Sequence, residues 1–371
     1  MKPESDYYIG LISGTSMDAI DAALVDFSAA TPRLVAALNH PLPAALHAEL
    51  SALCQPGEDE IERLGRADAA LGEVFAEAVA RLLEQAGIPA TRLHAIGSHG
   101  QTVRHRPESH FTLQIGDPNV IAERTGITTV ADFRRRDLAA AGEGAPLVPA
   151  FHAAALGRAG RKQVVVNIGG MANITLLPAD AAAVTGFDTG PGNVLMDAWA
   201  RQHLGRPLDA GGAWAASGRV DGKLLAQLLE HEFFRRPPPK STGRESFHAA
   251  WLAKQLHESG DSLSPADVQA TLCELSAVSI AEAIRAHAAA CEEVLVCGGG
   301  VHNAHLMARL RDHLRPTPVL ASDERGVPAD WMEAMAFAWL ARETLAHRPG
   351  NLPAVTGAEH PVILGGIYYG R

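Results

Sequence analysis

Two short apolar runs, each interrupted by a glycine-containing turn and then resumed, constrain this chain more than any other feature. Tyr7 to Ile12 leads into Ser13-Gly14-Thr15-Ser16-Met17-Asp18, and apolar character returns from Ala22 to Phe27. Gln163 to Ile168 is β-branched and almost wholly apolar, meets Gly169-Gly170-Met171-Ala172-Asn173, and continues from Ile174 to Leu177. Runs this short, without helical spacing and flanking a polar or glycine turn, read as strand, turn, strand. One such unit opens each half of a 371-residue chain, a length that accommodates two domains. The repeat is one of pattern, with little residue identity. It predicts an α/β chain built from two related halves with a cleft between them.

The rest of the pattern fits that frame. Helical spacing covers Pro43 to Leu53 and Asp59 to Ala86, where Gly87 supplies a stop. Short strands are predicted at Leu93–Gly97, Phe111–Ile115, Ile127–Ala131, Val184–Phe187 and Glu293–Cys297. Helices are predicted at Val194–Leu204, with Asn193 as its cap, at Asn303–Leu314 and at Asp330–His347. Leu224 to Ile284 reads as mostly helical, broken by a loop from Arg235 to Arg244. The Gly-, Ala- and Pro-rich stretch from Ala139 to Pro149 sets a boundary near 134–146. The expected domains are therefore 1–134 with 348–371, and 135–347.

Several function classes are disfavoured. Lys plus Arg is 32 against 42 Asp plus Glu, a net charge of −10, which opposes general nucleic-acid binding. No run of about 18 apolar residues is present, so no membrane partner is expected. The opening MKPESDYYIG lacks the shape of a secretory signal. Cys54, Cys273, Cys291 and Cys297 form no CxxC pair, so the expectation is a reduced, cytoplasmic protein. The phosphate loop GxxxxGK[ST], the zinc helix HExxH and the elbow GxSxG are all absent, and Gly298-Gly299-Gly300 lacks the third glycine of a dinucleotide fingerprint.

What remains is a set of turns at strand ends. Small residues at Ser13 to Asp18 expose backbone N–H groups suited to phosphate oxygens, and Asp18 offers a hard oxygen to Mg²⁺. A plain hairpin would use the same residues. In Asp188-Thr189-Gly190-Pro191-Gly192-Asn193 a carboxylate precedes two glycines and a helix start, a place for a general base beside an anion. A capping turn explains Asn193 well but the two glycines poorly. Three glycines after Val296-Cys297 let a flat group lie against the backbone, or let a strand and helix pack closely.

Together these turns resemble the actin-like ATPase superfamily. More specifically, the chain resembles the anhydro-N-acetylmuramic acid kinases through Gly10-Leu11-Ile12-Ser13-Gly14-Thr15-Ser16-Met17-Asp18-Ala19-Ile20-Asp21, Gly97-Ser98-His99-Gly100-Gln101-Thr102 and Ala131-Asp132-Phe133-Arg134. Gly186-Phe187-Asp188-Thr189-Gly190-Pro191-Gly192-Asn193, Cys297-Gly298-Gly299-Gly300 and Trp331-Met332-Glu333-Ala334-Met335-Ala336-Phe337 complete the set in family order. Ala19 stands where the family usually has glycine, and would be strained if that position required positive φ.

The resemblance implies two related actin-like (ribonuclease H-like) domains with an interdomain cleft, ATP and Mg²⁺ as cofactors, and a homodimer. It implies a role in peptidoglycan recycling: water opens the 1,6-anhydro bridge of anhydro-N-acetylmuramic acid, and the freed 6-oxygen takes the γ-phosphate. Asp188 is carried over as the base. Nucleotide contacts are expected from Gly14, Thr15, Ser16, Met17, Asp18, Ala19, Ile20 and Asp21, from Gly169, Gly170, Asn173 and Gly190, and from Gly298, Gly299, Gly300 and Asn303. Asp18 is the expected metal ligand.

Glu333 is the second candidate acid, because it opens a helix that is apolar on nearly every face; stabilising its own helix end is the competing role. Ser98, His99, Gln101 and Thr102 offer hydrogen bonds to a sugar, with Asp132 and Arg134 beside them, and Arg134 suits a lactyl carboxylate. The run Arg134-Arg135-Arg136 also reads as a solvated face paired with Asp132 and Asp137. Arg244 is a further candidate. The competing function is a chaperone-like ATPase acting on a protein partner.

Overall fold

The computed structural model describes residues 6–14, 17, 19–180, 184–243, 245–260 and 262–371. The chain divides into two compact units, Met1–Leu156 with Gly326–Arg371, and Gly157–Arg325.

In the first unit, β1 (Tyr7–Ser13), β2 (Ala19–Asp26) and β3 (Arg33–Pro41) form an antiparallel meander, and β4 (Leu93–Ser98) lies parallel to β1 on its other side. A hairpin of β5 (Gln101–Arg106) and β6 (Phe111–Ile115) intervenes before β7 (Thr129–Ala131), which pairs parallel with β4. In the second unit, β8 (Gln163–Ile168), β9 (Met171–Leu177) and β10 (Thr185–Pro191) form a second antiparallel meander. There β11 (Glu293–Cys297) and then β12 (Val319–Ala321) add in parallel beside β8. Returning to the first unit, β13 (Gly366–Tyr368) closes the β7 edge. The sheet orders are β13-β7-β4-β1-β2-β3 and β10-β9-β8-β11-β12. The edge strand β13 aside, both sheets read third, second, first, fourth, fifth strand. This duplicated order is the actin-like, ribonuclease H-like α/β fold, and it explains the repeat of strand–turn–strand in the sequence.

Each sheet buries its faces by period-2 alternation. In the first unit Ile9, Leu11, Ile20, Leu24 and Ile96 pack with Leu71, Phe75, Val79 and Leu82 of the helix Glu60–Ala86. In the second, Val164, Val166, Ile168, Ile174, Phe187, Val294 and Val296 join Leu272, Leu275 and Ile280 of the helix Pro265–Ala288. No helix among the described residues is long and apolar enough to cross a membrane.

The opposite face of the first sheet is covered by the helix Met332–Leu345, which runs over β1 and β4. Gly10 and Gly97 are paired across those strands. A Cβ on Gly10 would lie 1.7 Å from the Ala334 carbonyl oxygen, and one on Gly97 would lie 2.0 Å from that of Phe337. Only glycine permits this approach. The helix Val148–Leu156 joins the same layer, with Phe151 and Trp339 rings 6.1 Å apart.

This packing corrects the expected boundaries. Residues 135–156 and 326–347, assigned to the second domain, belong to the first unit because their apolar faces are buried there. Other differences are local. β3 was not anticipated, since its pattern does not alternate cleanly. Gln101 and Thr102, read as turn, begin β5. Asn193 does not cap the helix Val194–Leu204; its side chain donates to the Ile168 carbonyl at 3.3 Å.

Gly97→Ala should lower unfolding stability by about 3 kcal/mol through overpacking. Gly65→Ala, within a helix and with nothing near its Cβ position, should leave stability equal or slightly higher. Urea denaturation of both variants checks this; equal midpoints would remove the close-approach argument.

Candidate active site

In the first unit the turn between β4 and β5 docks on the end of β1. The His99 amide donates to the Leu11 carbonyl at 2.9 Å, and the Ser13 hydroxyl donates to Gln101 Oε1 at 2.6 Å. Gln101 passes its own amide to the Thr102 carbonyl at 3.1 Å, and Thr102 Oγ1 accepts from Gln114 at 3.0 Å. Gln101 and Thr102 therefore brace the hairpins. Past Ser13, Gly14 has no close neighbour at its Cβ position, and the Met17 amide returns to the Gly14 carbonyl at 3.1 Å. Positive φ falls on Met17, at 57°, and not on Ala19, which begins β2 opposite Pro41. The departure from the family's glycine at Ala19 thus introduces no such strain. Ile20 is wholly buried in the core. Thr15, Ser16 and Asp18 lie outside the described residues, as does Arg244. Asp21 accepts from Asn39, and its carboxyl is pushed up by burial and by the nearby charge of Asp330.

His99 is buried, and its ring lies 4.6 Å from that of Phe337. Arg134 Nε donates to His99 Nε2 at 3.0 Å. Because a guanidinium only donates, Nε2 must be unprotonated, so Nδ1 carries the hydrogen and donates to the Gly100 carbonyl at 3.0 Å. Burial, and then the Arg134 charge, hold His99 far below the usual imidazole range, which keeps it neutral. Arg134 Nη1 donates to the Gly144 carbonyl at 2.8 Å, while the Gly144 amide donates to Asp137 Oδ2 at 2.8 Å. Desolvation pulls Arg134 down to about 10, opposed by the negative charges of Glu333 and Asp137. Of the three consecutive arginines, Arg134 is thus the one drawn into the fold. Arg135 pairs with Asp132 at 2.7 Å, and Arg136 is exposed.

Glu333 is exposed in the first turn of its helix. The apolar stretch after it is buried, but the acid itself sits at the helix start, where its field reaches Arg134. Ser98, His99 and Asp132 line a cavity of about 360 Å³ with Gln114, Asp117 and Tyr368. Arg134, Gln101 and Thr102 do not line it. The buried Ser98 hydroxyl has no hydrogen-bond partner among the described residues, and Asp132 holds a positive φ of 62° at the end of β7.

In the second unit Gly169 and Gly170 turn β8 into β9. Their carbonyls accept from the amides of Asn193, at 2.9 Å, and of Gly192 and Val194, at 2.9 and 3.0 Å. The amides of Gly192, Asn193 and Val194, at the start of the helix Val194–Leu204, are thereby used within the protein. Asp188 lies within β10, half-buried. Its amide donates to the Lys240 carbonyl at 3.0 Å, and its Oδ2 accepts from the Thr242 amide at 2.9 Å. No described residue donates to its Oδ1. Burial raises its pKa to about 6, against the Thr242 amide and with help from the Glu245 charge. Gly190 follows a bulge in β10 and packs against Phe234.

The third turn has a strong packing component. A Cβ on Gly298 would meet Asn167 Oδ1 at 2.4 Å, and one on Gly300 would meet Ile168 Cγ2 at 2.3 Å, while Gly299 faces open space. Asn303 caps the helix Ala304–Leu314, accepting from the Leu306 amide at 2.9 Å. Asn167 and Thr242 were not anticipated. Thr242 is far from Asp188 in sequence, and no local signal marks it.

A family model described as anhydro-N-acetylmuramic acid kinase matches residues 6–370. An anhydro-N-acetylmuramic acid kinase from Cupriavidus pinatubonensis is 52% identical over 373 residues, covering 99% of this chain and 100% of the relative. One from Saccharophagus degradans is 50% identical over 373 residues at the same coverage. One from Coxiella burnetii is 52% identical over 367 residues, covering 98% of each. The chain belongs to the anhydro-N-acetylmuramic acid kinase family. By that membership it is a kinase, and the chaperone-like alternative is not favoured.

Within this family member, Asp137 is the buried support for Arg134. Its Oδ1 accepts from Asn351 at 2.7 Å and from the Thr356 hydroxyl at 2.8 Å, and its Oδ2 holds Gly144. Asp137→Ala leaves three donors without their acceptor and should cost about 3 kcal/mol or more. Thermal and urea unfolding check this; a wild-type midpoint would remove the supporting role.

Proposed function

We infer that the protein uses ATP to open 1,6-anhydro-N-acetylmuramic acid and to phosphorylate it to N-acetylmuramic acid 6-phosphate. The observation that carries this reading is Asp188, a half-buried carboxylate with one oxygen held by Thr242, the other without a donor among the described residues, and a pKa of about 6. Such a group is ionised at neutral pH yet basic enough to take a proton. In the proposed step a water oxygen bonds to the anomeric carbon while its proton passes to Asp188 Oδ1. The bond from that carbon to the 6-oxygen breaks, and the 6-oxygen bonds to the γ-phosphorus as ADP leaves.

The remaining groups divide by chemistry. Arg134 has no described partner at Nη2, and a guanidinium oriented by His99 and Gly144 suits the lactyl carboxylate. The unpaired Ser98 hydroxyl and the cavity around it suit a sugar hydroxyl. Glu333 acts electrostatically on Arg134 and is proposed as a second acid. The turns at Gly14 to Asp21, Gly169–Gly170 with Gly190, and Gly298–Gly300 with Asn303 are proposed for the nucleotide, with Gly299 the open position of the third.

Mg²⁺ would neutralise charge on the transferring phosphoryl group. Among the described residues no three ligating side chains converge. Asp18 is the proposed ligand. A cytoplasmic homodimer serving peptidoglycan recycling completes the proposal.

Coupled ADP release with and without the anhydro sugar tests the reading. Turnover should require the sugar, and sugar-independent hydrolysis would overturn it. Asp188→Asn should reduce kcat by about a thousandfold without unfolding the protein. Because the raised pKa must be exceeded for the base to be ionised, kcat/KM should hold above pH 6 and fall about tenfold per unit below it. A flat profile down to pH 4.5 would exclude Asp188 as the base.

A further inference from the structure

Strand register sets a polar row across the second sheet. Asp188 of β10 is directly opposite Asn173 of β9, Asn173 is opposite Asn167 of β8, and Asn167 is opposite Cys297 of β11. Directly opposed residues present their side chains to the same face, with Cβ atoms about 5 Å apart. This face is the one opposite the main core, because Val166, Ile174 and Phe187 of the neighbouring row point into that core. The row therefore carries one carboxylate and two carboxamides side by side where the sheet meets its glycine turn.

Asparagine is a poor strand residue, and here two occur in strands otherwise rich in Val and Ile. Both are half-buried, and no hydrogen bond joins either side chain to a described residue. Buried or half-buried carboxamides that serve structure are normally hydrogen-bonded. Two left without partners among the described residues, in register with a carboxylate whose Oδ1 accepts from none of them, point to a small polar molecule between them.

We propose, resting on the functional reading above, that Asn173 is a positioning residue: its carboxamide N–H holds the water that Asp188 deprotonates, and Asn167 extends the same row. An amide suits this task because it donates to the water lone pair without competing for the water proton. It also brings no charge. A cation at position 173 would make Asp188 a weaker base, and an anion would push its protonation upward. The charged groups around Asp188 leave this choice visible. Glu245 adds a negative field, Lys240 turns its ammonium to the Phe233 and Phe234 carbonyls, and Arg236 pairs with Glu232. The helix Pro265–Ala288, packed on β10, brings the neutral Ser279 near Gly190.

The test uses the full-length enzyme. Asn173→Asp is isosteric and places a like charge opposite Asp188, so the acidic limb of kcat/KM should move up by about one pH unit. Asn173→Ala should lower kcat by about a hundredfold while KM for ATP stays within about twofold, as loss of water positioning requires. If the aspartate variant turns over too slowly to assay, NMR titration of the Asp188 carboxyl carbon in the folded variant reads the same shift. An unmoved limb or titration, or an alanine variant within about threefold of the parent kcat, would overturn the proposal and leave the row structural. Failure of the functional reading would look different, because sugar-dependent turnover would then be missing from the unmodified enzyme.

Discussion

A helix lying directly on two strands governs the first unit. Gly10 and Gly97 face each other across β1 and β4, and the carbonyls of Ala334 and Phe337 occupy the space where their side chains would be. Nothing larger than glycine fits at either place. The contact has consequences beyond stability. It fixes the height and rotation of the helix Met332–Leu345, which sets Phe337 against the His99 ring and Glu333 within electrostatic reach of Arg134. It also explains why residues so late in the chain belong with the first strands. A 14-residue helix with ten buried residues has no stable place apart from the sheet it covers.

The two units use opposite means to prepare their polar groups. In the first, a guanidinium is drawn into the protein and held at two of its nitrogens, by a neutral histidine and by a backbone carbonyl that a buried aspartate positions in turn. In the second, a carboxylate accepts from the Thr242 amide and feels the charge of Glu245. Desolvation then dominates and raises its pKa. One arrangement leaves a desolvated guanidinium charged, and the other brings a carboxyl to a pKa of about 6.

Much of the fold was legible because it rests on local signals. The strand–turn–strand repeat, the helix ending at Gly87 and the strands at 163–168 and 293–297 follow from apolar spacing and turn residues alone. The site was legible in part. Asp188, Arg134, His99 and Ser98 were singled out from their positions at strand ends, and each occupies a constrained or unsatisfied setting. Other positions took structural work the sequence did not reveal. Asn303 caps a helix, Gln101 braces a hairpin, and Gly298 and Gly300 make room for β8. Asn193 and Asn303 are both asparagines at helix starts, yet only Asn303 caps; the backbone of Asn193 is already helical and its side chain is taken by Ile168.

The sequence by itself determined which segments are strands and helices and that the pattern occurs twice, since those depend on neighbours within a few residues. It also carried the motifs by which the family is known. Tertiary structure alone decided where the late helix belongs, which of three consecutive arginines is desolvated, and that Glu333 is exposed. It alone placed Asn167 and Asn173 in one row with Asp188. Register, burial and charge environment depend on residues far apart in the chain, and a local pattern holds no information about which distant group will arrive beside it.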